Sequence, residues 1–207
     1  MVMDTDLIAG KYLLMPQAST YARGVEALRA ASVKRPFTFK ENILARVEAY
    51  ESGDHSLFDI WLDSCTGIAY KTGTTQFKII PQCAELIGIN KDFSQRFLPV
   101  EYNTIMGVEL DCSKGKYNQS LTNAEIMEHP AWLAVMEGDR TLLRAYTDIV
   151  FRAYGAKYHS THKQMGFDVR KNTPTDELRA VFVHDLVCIS SADGGDDLSN
   201  GGCFLRW

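Results

Sequence analysis

Gly67-Ile68-Ala69-Tyr70-Lys71-Thr72-Gly73-Thr74-Thr75-Gln76-Phe77-Lys78-Ile79-Ile80 is the stretch that decides the fold. Two β-competent runs flank Thr72-Gly73-Thr74, where a glycine supplies the backbone freedom a tight turn needs, so the segment predicts a β-hairpin. A hairpin joins antiparallel strands, whereas a parallel pair needs a long crossover between its strands. The remaining question is whether helices and strands alternate strictly or come in separate runs.

Upstream, the pattern is helical. Tyr21, Val25 and Leu28 fall at the steps of one helix face within 19–32, and Pro36 ends any continuation. Thr38 with Glu41 forms a capping box, in which hydroxyl and carboxylate each satisfy an orphan amide. The helix it opens turns Ile43, Leu44, Val47 and Tyr50 inward and stops at Ser52-Gly53. Leu57-Phe58-Asp59-Ile60-Trp61-Leu62 is β-competent and reads as a further strand.

Downstream, short helices are expected at Ala84–Ile87 and from Asp92 with Gln95 to Pro99. Met106, Val108, Leu110 and Cys112 then alternate with polar or small residues, the period of a half-buried strand. Thr122 with Glu125 repeats the capping box, Pro130 suits a helix first turn, and Asp139 suits an N-cap. Leu142, Tyr146, Ile149 and Ala153 then form a helical stripe that Gly155 should end. Met165–Arg170, Leu178–Ile189 and Cys203–Trp207 return to strand. Helical runs near 19–51 and 122–155, set against strands near 57–80, 104–112, 165–170 and 178–206, predict an α+β fold. Helices pack against a mainly antiparallel sheet in one domain, 1–207.

Composition limits the function. The chain has 207 residues, 45% hydrophobic and 23% charged, enough to build a core without a disulfide or metal staple. Its formal charge of −4 argues against generic nucleic-acid coating, which needs excess positive charge. Met1–Lys11 carries no signal or transit peptide pattern, and no apolar run reaches a membrane span. Cys65, Cys83, Cys112, Cys188 and Cys203 are scattered and odd in number, as in a reducing cytosol, so a cytoplasmic location is expected.

Four segments merit chemical attention. Asp63-Ser64-Cys65-Thr66-Gly67 places a thiol where a strand meets a glycine turn, and a catalytic thiol needs a base such as His184 or another of His55, His129, His159 and His162. Burial of Cys65 as a small hydrophobe is the competing reading. His159 and His162 have a spacing that brings two imidazoles to one metal, yet two ligands do not close a site. Asp193, Asp196 and Asp197 lie in a glycine-rich loop, 193–202, whose oxygens suit a hard cation but lack EF-hand order; an ordinary solvated loop fits equally. Lys71–Thr75 has residues that cradle phosphate, yet a strand follows it, and neither a Walker nor a dinucleotide fingerprint is present, so no cofactor is expected.

Among the aromatics, Trp132 and Trp207 are the side chains singled out as candidate surface anchors. Two functions survive: a non-catalytic binding or assembly protein that holds a protein partner, or copies of itself, through an aromatic-rich surface; and a small hydrolase-like enzyme built on Cys65 with a C-terminal histidine such as His184. No constellation has the spacing catalysis demands, which favours the first.

Overall fold

The computed structural model describes residues 7–8, 11–15, 17–158, 165–185, 191–195 and 197–206. In its N-terminal half the elements are β1 (Leu7–Ile8), β2 (Tyr12–Met15), α1 (Tyr21–Ala30), α2 (Phe39–Glu51), β3 (Gly67–Tyr70), β4 (Gln76–Ile80), α3 (Ala84–Ile87), β5 (Leu98–Pro99) and β6 (Val108–Asp111). There follow α4 (Asn123–Glu128), α5 (Pro130–Val135), α6 (Arg140–Tyr158), β7 (Phe167–Asp168), β8 (Glu177–Ala180), β9 (Phe182–Val183), β10 (Ala192–Asp193) and β11 (Phe204–Arg206).

The expected hairpin forms as β3 and β4, with Gly67 opposite Ile80 and Tyr70 opposite Phe77. It is the centre of a five-stranded antiparallel sheet in the order β5-β8-β3-β4-β6. Period-two alternation assigns its side chains to two layers. Ile68, Tyr70, Phe77 and Ile79 join the larger core beneath α2, α5 and α6. Ala69, Leu178 and Ala180 face the other way, onto a smaller core with Tyr21, Val25 and Leu28 of α1 and Leu86 of α3. Helices therefore pack against a mainly antiparallel sheet, as the segregated runs predict.

Both capping boxes form: Thr38 accepts from the Glu41 amide while Glu41 accepts from the Thr38 amide, and Thr122 and Glu125 do the same. Pro130 opens α5, and Asp139 caps α6 by accepting the Leu142 amide at 3.0 Å. The termini meet in a small sheet ordered β1-β2-β11, in which Met15 lies opposite Phe204. Gly24 makes this possible, because a β-carbon there would lie 2.1 Å from the Phe204 ring. A third sheet, β7-β10-β9, contains the one parallel pairing among the described strands, β10 with β7.

Several expectations need correction. Leu57–Leu62 is not a strand: Asp54 accepts from the Ser56 amide and hydroxyl, a local turn that starts a single 3-10 turn at Ser56–Phe58, and only Leu62 makes isolated bridges, to Val183 and Cys203. Asp92–Gln95 is not helical; the Asn90 side chain accepts the Asp92 amide and closes a turn instead. The strand expected over 104–112 begins at Val108, because Lys78 Nζ donates to the carbonyls of Tyr102 and Ile105 and holds that segment in a turn. Gly155 does not end α6, which runs to Tyr158. The buried face of α6 carries Leu143, Tyr146, Thr147, Ile149 and Val150, with Leu142 only partly buried. Tyr146 and Ile149 of the expected stripe are buried, while Leu143 takes the place expected of Leu142 and the inward Thr147 donates its hydroxyl to Arg144 O and Asn123 Oδ1.

Candidate functional site

Trp61 emerges at a place fixed by buried polar contacts. The Arg46 side chain of α2 is fully buried and donates to Ile60 O at 2.7 Å and to the Tyr146 hydroxyl at 3.0 Å. Leu62 exchanges main-chain hydrogen bonds with Val183 at 3.0 and 3.1 Å, and Asp63 N donates to Cys203 O at 2.9 Å. The backbone on both sides of Trp61 is thereby held, yet the side chain itself is 43% exposed. Its ring stacks on Phe182 at 5.9 Å and meets the edge of His184 at 5.0 Å.

Two hollows border this indole. One of about 30 Å³, room for a single water-sized group, is lined by Tyr21, Trp61, Asp63, Phe182, Asp197 and Asn200. A broad, shallow one of about 540 Å³ on the Gln17–Ser19 side shares Trp61, Asn200 and Gly201. Their walls are tied to the rest of the fold. Tyr21 N donates to Leu198 O and Asn200 O, Ala18 N to Gly202 O, and Gly202 N to Asp63 Oδ2 at 2.8 Å. Gly201 approaches Ala18 so closely that a β-carbon would lie 2.0 Å from its carbonyl oxygen.

The C-terminal loop is stapled to the sheet by charge. Arg179, buried on β8, donates bidentately to Glu177 at 2.9 and 3.3 Å and also bonds Asp197. Arg96 Nε reaches the other Asp197 oxygen at 2.6 Å, and Arg170 Nε donates to Gly195 O at 2.8 Å. Burial alone would raise the Asp197 carboxyl, but the hydrogen bonds from Arg179 and Arg96 outweigh it and hold it below the ordinary value. Asp193 accepts from the Gly195 amide, and its Oδ2 lies 3.2 Å from His184 Nε2. Asp168 stands opposite Asp193 across the β7–β10 ladder, and burial together with that neighbouring charge raises its carboxyl.

The structure thus separates the residues the sequence proposed. Cys65 is fully buried and donates its thiol to Pro36 O at 3.2 Å; burial pushes the thiol up to about 11, against the opposing charge of Arg35. His184 lies instead with Trp61, Phe182 and Asp193. Asp197 is held by guanidinium groups, while His159, His162 and Asp196 lie outside the described residues. Among the described residues no three His, Cys, Asp or Glu side chains are grouped to hold a metal ion. The Lys71–Thr75 turn spends its amides within the protein: Thr72 N donates to Asp176 Oδ1 and Gly73 N to Thr173 O. Among those residues no helix is long and apolar enough to cross a membrane.

The aromatic reading also needs correction. Trp132 is fully buried between Phe39 and Phe167, at 5.7 and 5.9 Å, and Trp207 lies outside the described residues. Among the described residues the exposed tryptophan is Trp61, which its apolar neighbours Ile60 and Leu62 disguise as a strand-core residue. A usable signal was local: Trp61 lies between Asp59 and Asp63 within four positions.

No protein-family model and no curated protein matches this sequence. A solved structure does, over 99% of each chain, with a TM-score of 0.68 at 16% identity. It is described as "Accommodation of massive sequence variation in Nanoarchaeota by the C-type lectin fold". The architecture described above, with paired terminal strands and helices flanking an antiparallel sheet, is the C-type lectin fold.

Proposed function

We propose that this protein is a non-catalytic binding protein that recognises a protein partner through the face centred on Trp61. One observation carries the reading: an indole with a hydrogen-bonded backbone on either side stands exposed between two hollows whose walls come from four separate segments, 17–21, 61–63, 180–182 and 197–202. Loops held on a rigid scaffold are where recognition residues concentrate. The similar structure, whose fold accommodates massive sequence variation, supports a scaffold that keeps its shape while surface residues change.

Panning a random peptide display library on the immobilised protein tests this. Peptides that survive stringent washing are expected to bind wild type and to lose at least about tenfold in affinity for Trp61→Ala, the effect of removing a central aromatic anchor. Selected peptides that bind both proteins equally place recognition elsewhere and overturn the reading.

A further inference from the structure

Both hollows beside Trp61 are lined by Asn200, an exposed residue and the one asparagine of the seven in this chain that a glycine follows. The fold requires that glycine. A β-carbon at Gly201 would lie 2.0 Å from Ala18 O and 2.8 Å from Thr20 N, both main-chain atoms. They cannot retreat, because Ala18 N donates to Gly202 O and Tyr21 N to Asn200 O, which holds the two segments together. The main-chain nitrogen that follows Asn200 therefore has no β-carbon beside it.

That nitrogen also differs from its neighbours in its bonding. Asn200 N donates to Asp197 O at 2.9 Å and Gly202 N to Asp63 Oδ2 at 2.8 Å. Gly201 N donates no main-chain hydrogen bond among the described residues. An amide nitrogen one residue after an asparagine can close a five-membered ring on the side-chain carbonyl carbon, and a β-carbon on the attacking residue is the chief hindrance to that closure. Because Asn200 is exposed, solvent supplies the base that starts the reaction and the water that ends it.

We propose that Asn200-Gly201 is a site of spontaneous covalent modification that alters the face around Trp61. Gly201 N attacks Asn200 Cγ. The new carbon–nitrogen bond forms, the Cγ–Nδ2 bond breaks, and Nδ2 leaves as ammonia with the proton that Gly201 N gives up. Water then opens the succinimide without any change of oxidation state. Breaking the new bond leaves an aspartate at 200; breaking the original peptide bond leaves an isoaspartate, whose main chain runs through Cγ.

Either product changes the face. Aspartate adds a negative charge to a hollow that Asp63 and Asp197 already line, and like charges at that range repel. Isoaspartate converts the carbonyl that accepts the Tyr21 amide at 3.1 Å into a carboxylate, and it lengthens the main chain where Gly201 already abuts Ala18. The effect on binding rests on the recognition reading above; the ring closure does not.

Incubating the full chain at mildly alkaline pH, folded in one sample and unfolded in urea in another, tests the site by peptide mass spectrometry, with isoaspartate read by enzymatic methylation. In the folded chain product is expected at Asn200 well ahead of the other asparagines. Asn200→Gln, whose side chain would have to close a larger ring, is expected to give none at that position. Folded protein modified at 200, separated by its added charge, is expected to lose at least about tenfold in affinity for the Trp61-dependent peptides. Modification of Asn200 in urea but not in the folded chain overturns the site. Modified protein that binds those peptides as fresh protein does overturns the effect on recognition and leaves the Trp61 reading standing. The mass-spectrometric arm needs no partner, so it decides the site even where that reading fails.

Discussion

Trp132 and Trp61 are the same side chain used in opposite ways. Trp132, on α5, is sealed between Phe39, Tyr146 and Phe167 at the centre of the larger core. Trp61 has comparable aromatic company in Phe182 and His184, but its backbone is held by Arg46, Val183 and Cys203 so that much of the ring stays open. The difference teaches that exposure here is constructed. A fully buried guanidinium and a β-bridge are used to hold an apolar ring at the surface, whereas the ring of Trp132 is placed by packing alone.

The comparison breaks first on stability. Trp132→Ala is expected to destabilise the fold by roughly 3 to 5 kcal/mol, the cost of an aromatic removed from a close-packed core. Trp61→Ala is expected to cost clearly less, because much of the removed surface was already in water. Equal shifts of the urea midpoint for the two variants would erase the distinction.

Next comes the staple that holds the loop beside Trp61. Asp197→Ala removes one carboxylate from buried Arg179, which keeps its pairing with Glu177, and is expected to cost roughly 1.5 to 3 kcal/mol, the range for a lost hydrogen bond between charged groups. The pH dependence has a definite sign. The folded-state Asp197 carboxyl lies below its unfolded value, so its contribution is present above the ordinary carboxylate range and is lost as pH falls through the depressed folded value. Acid titration of thermal stability is therefore expected to be flatter in Asp197→Asn than in wild type; superimposable slopes would remove Asp197 from the account.

A finer comparison lies on α6. Leu143→Ala is expected to cost roughly 2 to 5 kcal/mol and Leu142→Ala distinctly less, since Leu143 is fully buried and Leu142 only partly so. The reverse order in chemical denaturation would rotate the helix face by one residue. The smallest effect concerns Cys65. With its thiol buried and pushed up to about 11, native Cys65 is expected to alkylate slowly at neutral pH, and Cys65→Ser to bind selected peptides as wild type does. Fast selective labelling, read by peptide mass spectrometry, would restore the thiol as a chemical candidate.

Much of the fold is legible in the sequence because its signals are local. The 67–80 hairpin, the boxes at Thr38–Glu41 and Thr122–Glu125, Pro130 and Asp139 each act within a few residues, and each forms as the sequence implies. What fails is set by distant partners. Tyr12–Met15 becomes a strand through Phe204–Arg206 at the other end of the chain, and Ile105 stays outside β6 because Lys78 holds its carbonyl. The site is least legible of all: Arg46 looks like a solvated helix residue, and only the folded chain brings it to the Ile60 carbonyl. His184, considered from sequence as a partner for Cys65, instead joins Trp61.

Randomising two sets of positions in a protease-resistance display library tests the central claim most directly. One library varies Gln17, Ser19, Trp61 and Asn200 on the face proposed for recognition; the other varies Phe39, Trp132, Tyr146 and Phe167 in the core. The account expects most members of the first library to remain resistant, because those side chains border solvent on a hydrogen-bonded scaffold, and few members of the second. Equal surviving fractions in the two libraries would contradict it.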